Sequence, residues 1–264
     1  MRLGAHVAGV GLVGPGLAGW RQGRETLAGR TPFSASPTVF PVPEALPATE
    51  RRRAGKCVKL ALAAGLEAVC DAGLDAGGLA AIFASSSGDG ENCHAICEVL
   101  ASDDRSISPT RFHNSVHNAP AGYWSIATGA TASVDCLAAF DASFGAGLLE
   151  ALARLATEPQ RPVVLVAYDA PYPEPLNGAR PMPDAFGVGL VLAARGNGSQ
   201  GPAITVQFSR DAPQRLADAN LEQLRRAIPA ARSLPLLGLL ASQARGSTTL
   251  DYLEGLALRV EVAP

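Results

Sequence analysis

The sequence predicts a layered α/β protein, and three observations carry that prediction. Almost continuously apolar runs of strand length alternate with longer helical periodicities. Alanine dominates the helices while aromatic residues make up only 5% of the chain, so the layers must meet through small side chains. Twenty-eight glycines permit the close backbone approach that such packing needs.

The first strand is His6–Val13 (HVAGVGLV), apolar on both faces and ended by Gly14-Pro15-Gly16. Leu17–Leu27 reads as a short helix carrying Trp20. Pro32–Pro47 is a proline-rich loop long enough to wrap the surface or cover a partner. Glu50–Ala72 has the broad apolar face of a helix, with Val58, Leu60, Leu62, Leu66 and Val69 on it. Leu79–Ala84 is the second strand. It runs into Ser85–Gly90, the kind of strand-end loop where α/β proteins place chemistry.

A helix over Glu91–Leu100 follows, then a polar connection, Ser106–His117, with two histidines. Ala119–Ala127 reads as helix and Thr131–Asp135 as a short strand. The next helix, Ala139–Ala156, opens almost entirely on small residues, which implies a central, buried position. Arg161–Tyr168 is a buried strand, and Pro171–Pro183 a second proline-rich loop. Gly187–Ala194 and Ala203–Phe208 read as an antiparallel pair joined by a turn at Gly196–Gln200. Leu216–Ile228 is an amphipathic helix, Leu234–Ala241 fits either state, and Leu256–Val262 alternates as a final strand.

Composition excludes several function classes. Apolar residues at 47% against 17% charged exclude a disordered chain. Twenty-two Lys+Arg against 24 Asp+Glu give −2, which leaves no basic field for nucleic acid. Five irregularly placed cysteines read as a reducing compartment rather than a disulfide scaffold. Glycines and Pro15 interrupt the opening stretch before any signal-peptide core forms, and no run of about eighteen apolar residues would span a membrane. The expectation is a cytoplasmic protein.

Three clusters invite a chemical reading. Cys93, His94 and Cys97 lie close on one helix, but no fourth ligand accompanies them, so no metal is expected. Gly9, Gly11 and Gly14 match a dinucleotide loop in spacing. Yet Pro15 breaks the helix that should follow, so neither a nucleotide nor any other cofactor is expected. Cys136 stands between a strand and a buried helix, where a nucleophile would gain from helix N-terminal amides. Its base would have to be His113 or His117, because no histidine follows His117.

Four stretches together resemble the N-terminal half of a β-ketoacyl synthase, in the thiolase-like superfamily. They are the glycine-rich first strand with the helix Arg51–Ala72; Ile107–Phe112 with Asn118–Gly122; Thr131–Asp135 leading into the small-residue helix; and Asp184–Leu192. They span roughly residues 1–197. The resemblance implies a thiolase-like α-β-α sandwich, one domain over 1–264, with the N-terminal half complete and 198–264 a shortened remainder. In the family this strand leads into Val-Asp-Thr-Ala-Cys, whose cysteine carries the acyl group. Laid on Val134-Asp135-Cys136-Leu137-Ala138, the nucleophile position falls on Ala138, and Cys136 sits two residues early. The family's C-terminal catalytic histidine motifs have no counterpart here.

The likeness is to the short chain length factors of aryl polyene pathways, inactive partners of a full-length β-ketoacyl-ACP synthase. It implies no catalytic residue, with Cys136, Ala138 and Phe140 lining an acyl tunnel. Tyr123, Trp124, Thr131, Ser133 and Asp135 would belong to the subunit interface, although the two aromatics would equally fill this chain's own core. Acyl carrier protein would be met through the partner. The alternative is a cysteine acyltransferase or ketosynthase using Cys136 with His117.

Overall fold

The computed structural model describes residues 2–194, 196 and 201–264. In chain order come β1 (Arg2–Gly14), β2 (Leu17–Ala18), α1 (Trp20–Leu27), α2 (Ala48–Arg53) and α3 (Lys56–Ala72). Then follow β3 (Ala80–Ala84), α4 (Gly90–Ala101), α5 (Pro109–His113), α6 (Ala119–Thr128), β4 (Val134–Leu137) and α7 (Ser143–Thr157). The remainder is β5 (Val163–Asp169), α8 (Leu176–Ala179), β6 (Phe186–Ala193), β7 (Ala203–Ser209), α9 (Ala219–Ala227), α10 (Leu234–Ser242), β8 (Gly246–Leu253) and β9 (Leu256–Ala263).

The strands form one mixed sheet in the order β4-β3-β5-β6-β1-β7-β9-β8, with β2 added to β1. β3 runs parallel to both β4 and β5, while the other pairings are antiparallel. Helices α3 and α6 cover one face. Helix α7, with α1, α9 and α10, covers the other. This is the expected α-β-α layering of the thiolase-like fold.

The glycines read from the sequence explain how α3 lies on the sheet. A Cβ at Gly11 would stand 2.0 Å from the Ala64 carbonyl oxygen, and one at Gly189 would stand 2.2 Å from the same atom. The helix therefore rests on strand backbone at Gly9, Gly11 and Gly189, while Gly14 makes room for the Phe186 ring. Beyond His6, β1 outruns its partner β7, and its exposed amides find carboxylates of α3 instead. Val10 N–H donates to Asp71 at 2.9 Å and Leu12 N–H to Glu67 at 2.7 Å.

The same logic places α7 beneath the sheet. A Cβ at Gly147 would meet Leu165 at 2.8 Å and Ala84 at 3.0 Å. Phe144, Leu148, Ala151, Leu152 and Leu155 complete its buried face.

Several elements differ from the expectation. The strand read as Thr131–Asp135 is Val134–Leu137, because its ladder with β3 begins at Ala81↔Val134 and runs to Ala84↔Leu137. The small-residue helix starts at Ser143 rather than Ala139, after a 3₁₀ turn over Phe140–Ala142. The helix read over Glu50–Ala72 breaks at Ala54-Gly55, where Asn114 donates to the Arg53 carbonyl at 2.8 Å. β6 and β7 are not a hairpin: both pair with β1, which lies between them. Apart from Gly196, the turn expected there lies outside the described residues. β8 was not expected at all. Among the described residues no helix is long and apolar enough to cross a membrane, and no group of three His, Cys, Asp or Glu side chains could hold a metal.

Candidate functional site

Strand β4 is the last strand on its side of the sheet, paired only with β3 among the described residues, and its four residues are half-buried. Alternation sends neighbouring side chains to opposite faces. Cys136 joins the core on the α3 side, in register with Phe83. Asp135 faces α7 and accepts from Arg154, which also donates to Ser133 Oγ at 2.6 Å. Thr131 and Ser133 are exposed in the approach to the strand.

Cys136 therefore sits inside the strand and not at the strand–helix junction where the sequence suggested it. Burial, and after it the Asp135 charge, push its thiol up to about 11. That is the reverse of an activated nucleophile, whose pKa falls. His117 lies beside the Ser85–Gly90 loop, where a Gly88 Cβ would stand 3.3 Å from its ring. Its Nε2 is buried without a hydrogen-bond partner, and no hydrogen bond joins it to Cys136 among the described residues. His113 stands edge-on to Tyr123, with ring centroids 6.1 Å apart.

The ends of β3 and β5 are tied together beneath this loop. Asp169 is fully buried and accepts from Ser86 N–H at 2.8 Å, Ser85 Oγ–H at 3.3 Å and Ala230 N–H at 2.8 Å. Burial still outweighs these bonds and pushes its carboxyl up to about 6.

The strand–helix junction itself is the turn from Ala138 to Ala142. Ala138 is exposed. Phe140 takes φ = 51°, a left-handed conformation rare for a bulky residue, and is 62% exposed. Ser143 Oγ pins this backbone, accepting from Ala139 N–H at 3.0 Å and donating to the Phe140 carbonyl at 2.7 Å. The Arg180 guanidinium lies 3.7 Å over the Phe140 ring. Arg180 also donates to Asp141 and, at 3.0 Å, to Tyr172 Oη, while Arg232 donates to Asp141 at 3.0 Å. Phe140 forms one wall of an open cleft of about 680 Å³, shared with Tyr252, Leu253 and Leu256 of the β8–β9 hairpin and with Arg210 and Arg232.

Tyr123 and Trp124 correct the interface expectation: they are 1% and 0% exposed within this chain. Trp124 fills the space left by Gly65 of α3 and meets Phe83 edge-on, and Tyr123 Oη donates to Asn114 at 3.1 Å. Side chains so enclosed cannot contact another subunit. Asp141, Arg180 and Arg232 were missed in the sequence. The one signal for them was the Pro171–Pro183 loop, whose end carries Arg180 across the turn.

The layered α-β-α architecture defines a thiolase-like scaffold. The chain belongs to the β-ketoacyl synthase family: the family model for the β-ketoacyl synthase N-terminal domain matches residues 20–250. A structure of the ketosynthase ApeO in complex with its chain length factor ApeC, from Xenorhabdus doucetiae, contains a chain 22% identical, covering 98% of this chain and 99% of that one at a TM-score of 0.73. The ishigamide ketosynthase/chain length factor aligns at 13% identity over 98% and 99%, with a TM-score of 0.72. The AntDE:AntF complex, a type II polyketide acyl carrier protein with its hexaketide-bound ketosynthase, aligns at 12% over 100% and 99%, with a TM-score of 0.73. No curated protein matches the chain significantly. The chain has a ketosynthase-like fold, shorter than a full ketosynthase, in which β7 is followed by α9, α10 and the β8–β9 hairpin.

Proposed function

We propose that this chain is a catalytically silent chain length factor of aryl polyene biosynthesis, acting as one domain over residues 1–264. The observation that carries the reading is the strand–helix junction. Where an acylated cysteine would stand, the turn presents Ala138 and a strained Phe140, and the nearest thiol, Cys136, is held well above the reactive range. Decarboxylative condensation also needs groups to hold a developing enolate charge. In this reading they come from a full-length β-ketoacyl-ACP synthase, which condenses malonyl units and receives the acyl carrier protein. Cys136, Ala138 and Phe140 then lie along the acyl tunnel.

The open edge of β4 supports pairing with that partner. An unpaired edge strand is a template for another chain. Thr131, Ser133 and Asp135 would flank the contact, and Phe112, Val116 and Ile126, in the segment before the strand, expose apolar surface. A permanent interface of this kind buries upward of about 2,000 Å². Co-expression with a ketosynthase encoded beside it, followed by light scattering, tests the reading. A stable 1:1 complex is expected, and a monodisperse monomer that ignores the synthase would defeat it. The buried, unpartnered Nε2 of His117 is the one feature favouring a Cys136–His117 acyltransferase. Stable acylation of the isolated chain, lost in Cys136→Ala, would establish that reading instead.

A further inference from the structure

We propose that the sheet face over β1, β7, β9 and β8 holds a binding site for a soluble phosphate monoester, a site that does not depend on the chain-length reading. Ile204, Val206, Leu250, Leu258 and Val260 turn inward, into the core shared with α7 and α10. By alternation Thr205, Glu261 and Ser247 turn the other way, and the ladder sets them in one row with Gly4 of β1. In the next row His6 stands beside Ala203 and Ala263. Those two put only methyl groups on this face. The space they leave is an open cleft of about 620 Å³, which is the size of a small-molecule site.

The rim of the cleft is cationic. Arg2, His6 and Arg245 line it against a single carboxylate, Glu261. That carboxylate is already engaged: Arg2 donates to it at 2.6 Å and Arg259 stands 3.9 Å away. Arg245 is exposed and makes no ion pair among the described residues. The Gly201 carbonyl can only accept, so His6 Nδ1 carries the proton that bonds it at 3.0 Å, and Nε2 is left for a ligand. Ser247 Oγ accepts from Arg259 at 3.3 Å and keeps its own proton to donate. A singly protonated phosphate matches this set. Guanidinium forks take its bare oxygens in pairs, and a neutral Nε2 accepts from its remaining hydroxyl, which a carboxylate lacks. None of the exposed large apolar side chains among the described residues lines the cleft, so nothing there enters a lipid layer and the ester it fits is a free one.

The test titrates the full chain, labelled at its histidine rings, with inorganic phosphate at constant ionic strength and follows the four histidine signals by NMR. The His6 signal should move and saturate while those of His94, His113 and His117 stay. Arg245→Ala should weaken the apparent affinity at least fivefold, and Arg2→Ala should do the same. Arg245 makes no ion pair in the fold, so its variant carries the comparison if Arg2→Ala does not fold. Arg52→Ala, on α2, should leave the affinity unchanged. A His6 signal that stays still, or four signals that drift together without saturating, would overturn the proposal. So would equal affinity in a folded Arg245→Ala chain, or acetate binding as tightly as phosphate. Sedimentation with phosphatidic acid vesicles separates the two sources of a phosphate ester: no Arg245-dependent binding is expected, and binding lost in Arg245→Ala would overturn the assignment to a free ester.

Discussion

Cys136 offers the sharpest test of catalytic silence, because its reactivity follows from its surroundings by arithmetic. With a pKa of about 11, only about 0.1% of the thiol is ionised at pH 8. An unperturbed thiol near 8.5 is about 24% ionised there, a roughly 240-fold advantage. The more basic thiolate recovers part of this, about 13-fold at a Brønsted slope near 0.45. Cys136 should therefore alkylate about 20-fold more slowly than an unstructured cysteine peptide, before half-burial slows it further. Iodoacetamide time courses read by mass spectrometry at the Cys136 peptide measure this directly. The rate should climb about tenfold per pH unit between pH 8 and 10. Asp135→Asn should raise it, since the Asp135 charge is the second cause of the shift. A rate at or above the peptide's, levelling below pH 8 and falling in His117→Ala, would refute the reasoning and restore the acyltransferase reading.

Further outcomes follow from the packing and the buried charges. Gly11→Ala places a Cβ 2.0 Å from the Ala64 carbonyl, so α3 must lift and strain its carboxylate bonds to β1; a loss of about 3 kcal/mol or more in urea unfolding is expected. Gly122→Ala on α6 meets nothing within 4 Å and should instead stabilise by about 0.5–1 kcal/mol in the same assay. Asp169 has its folded pKa raised to about 6 from 3.8, so its contribution is full below pH 4 and is lost as pH rises through 6. The stability difference between wild type and Asp169→Asn should fall by about 2.4 kcal/mol between pH 4 and 7, and a flat difference would contradict that charge balance.

Much of the fold was legible because its signals are local or periodic. His6–Val13, Leu79–Ala84, Arg161–Tyr168 and Gly187–Ala194 are nearly unbroken apolar runs, and strands buried on both faces require that pattern. The exceptions share one cause, which is that pairing is not local. β4 slid to Val134–Leu137 because β3 sets its register, and nothing in its own sequence does. β6 and β7 looked like a hairpin because they are consecutive, yet a strand from the other end of the chain enters between them. In β8 only Thr248 and Leu250 turn fully inward, too weak an alternation to outweigh its polar residues.

The site divides along the same line. The proposal that chemistry is missing starts from residue types alone: the resemblance lays the family's nucleophile position on Ala138, and no histidine follows His117. What stands at the junction could not be read that way. Phe140 is set by a backbone angle and by Arg180, 40 residues away in number and 3.7 Å away in space. Tyr123 and Trp124 show the converse error. Their size suggested an anchor for a partner, but a partner can use only what the chain leaves exposed, and Gly65 had already opened a place for Trp124 on α3. An aromatic side chain becomes a candidate contact only when the fold holds it out against the pull of its own core. In this chain the ring that meets that condition at the junction is Phe140, and the clamp of Arg180, Asp141 and Arg232 is what keeps it there.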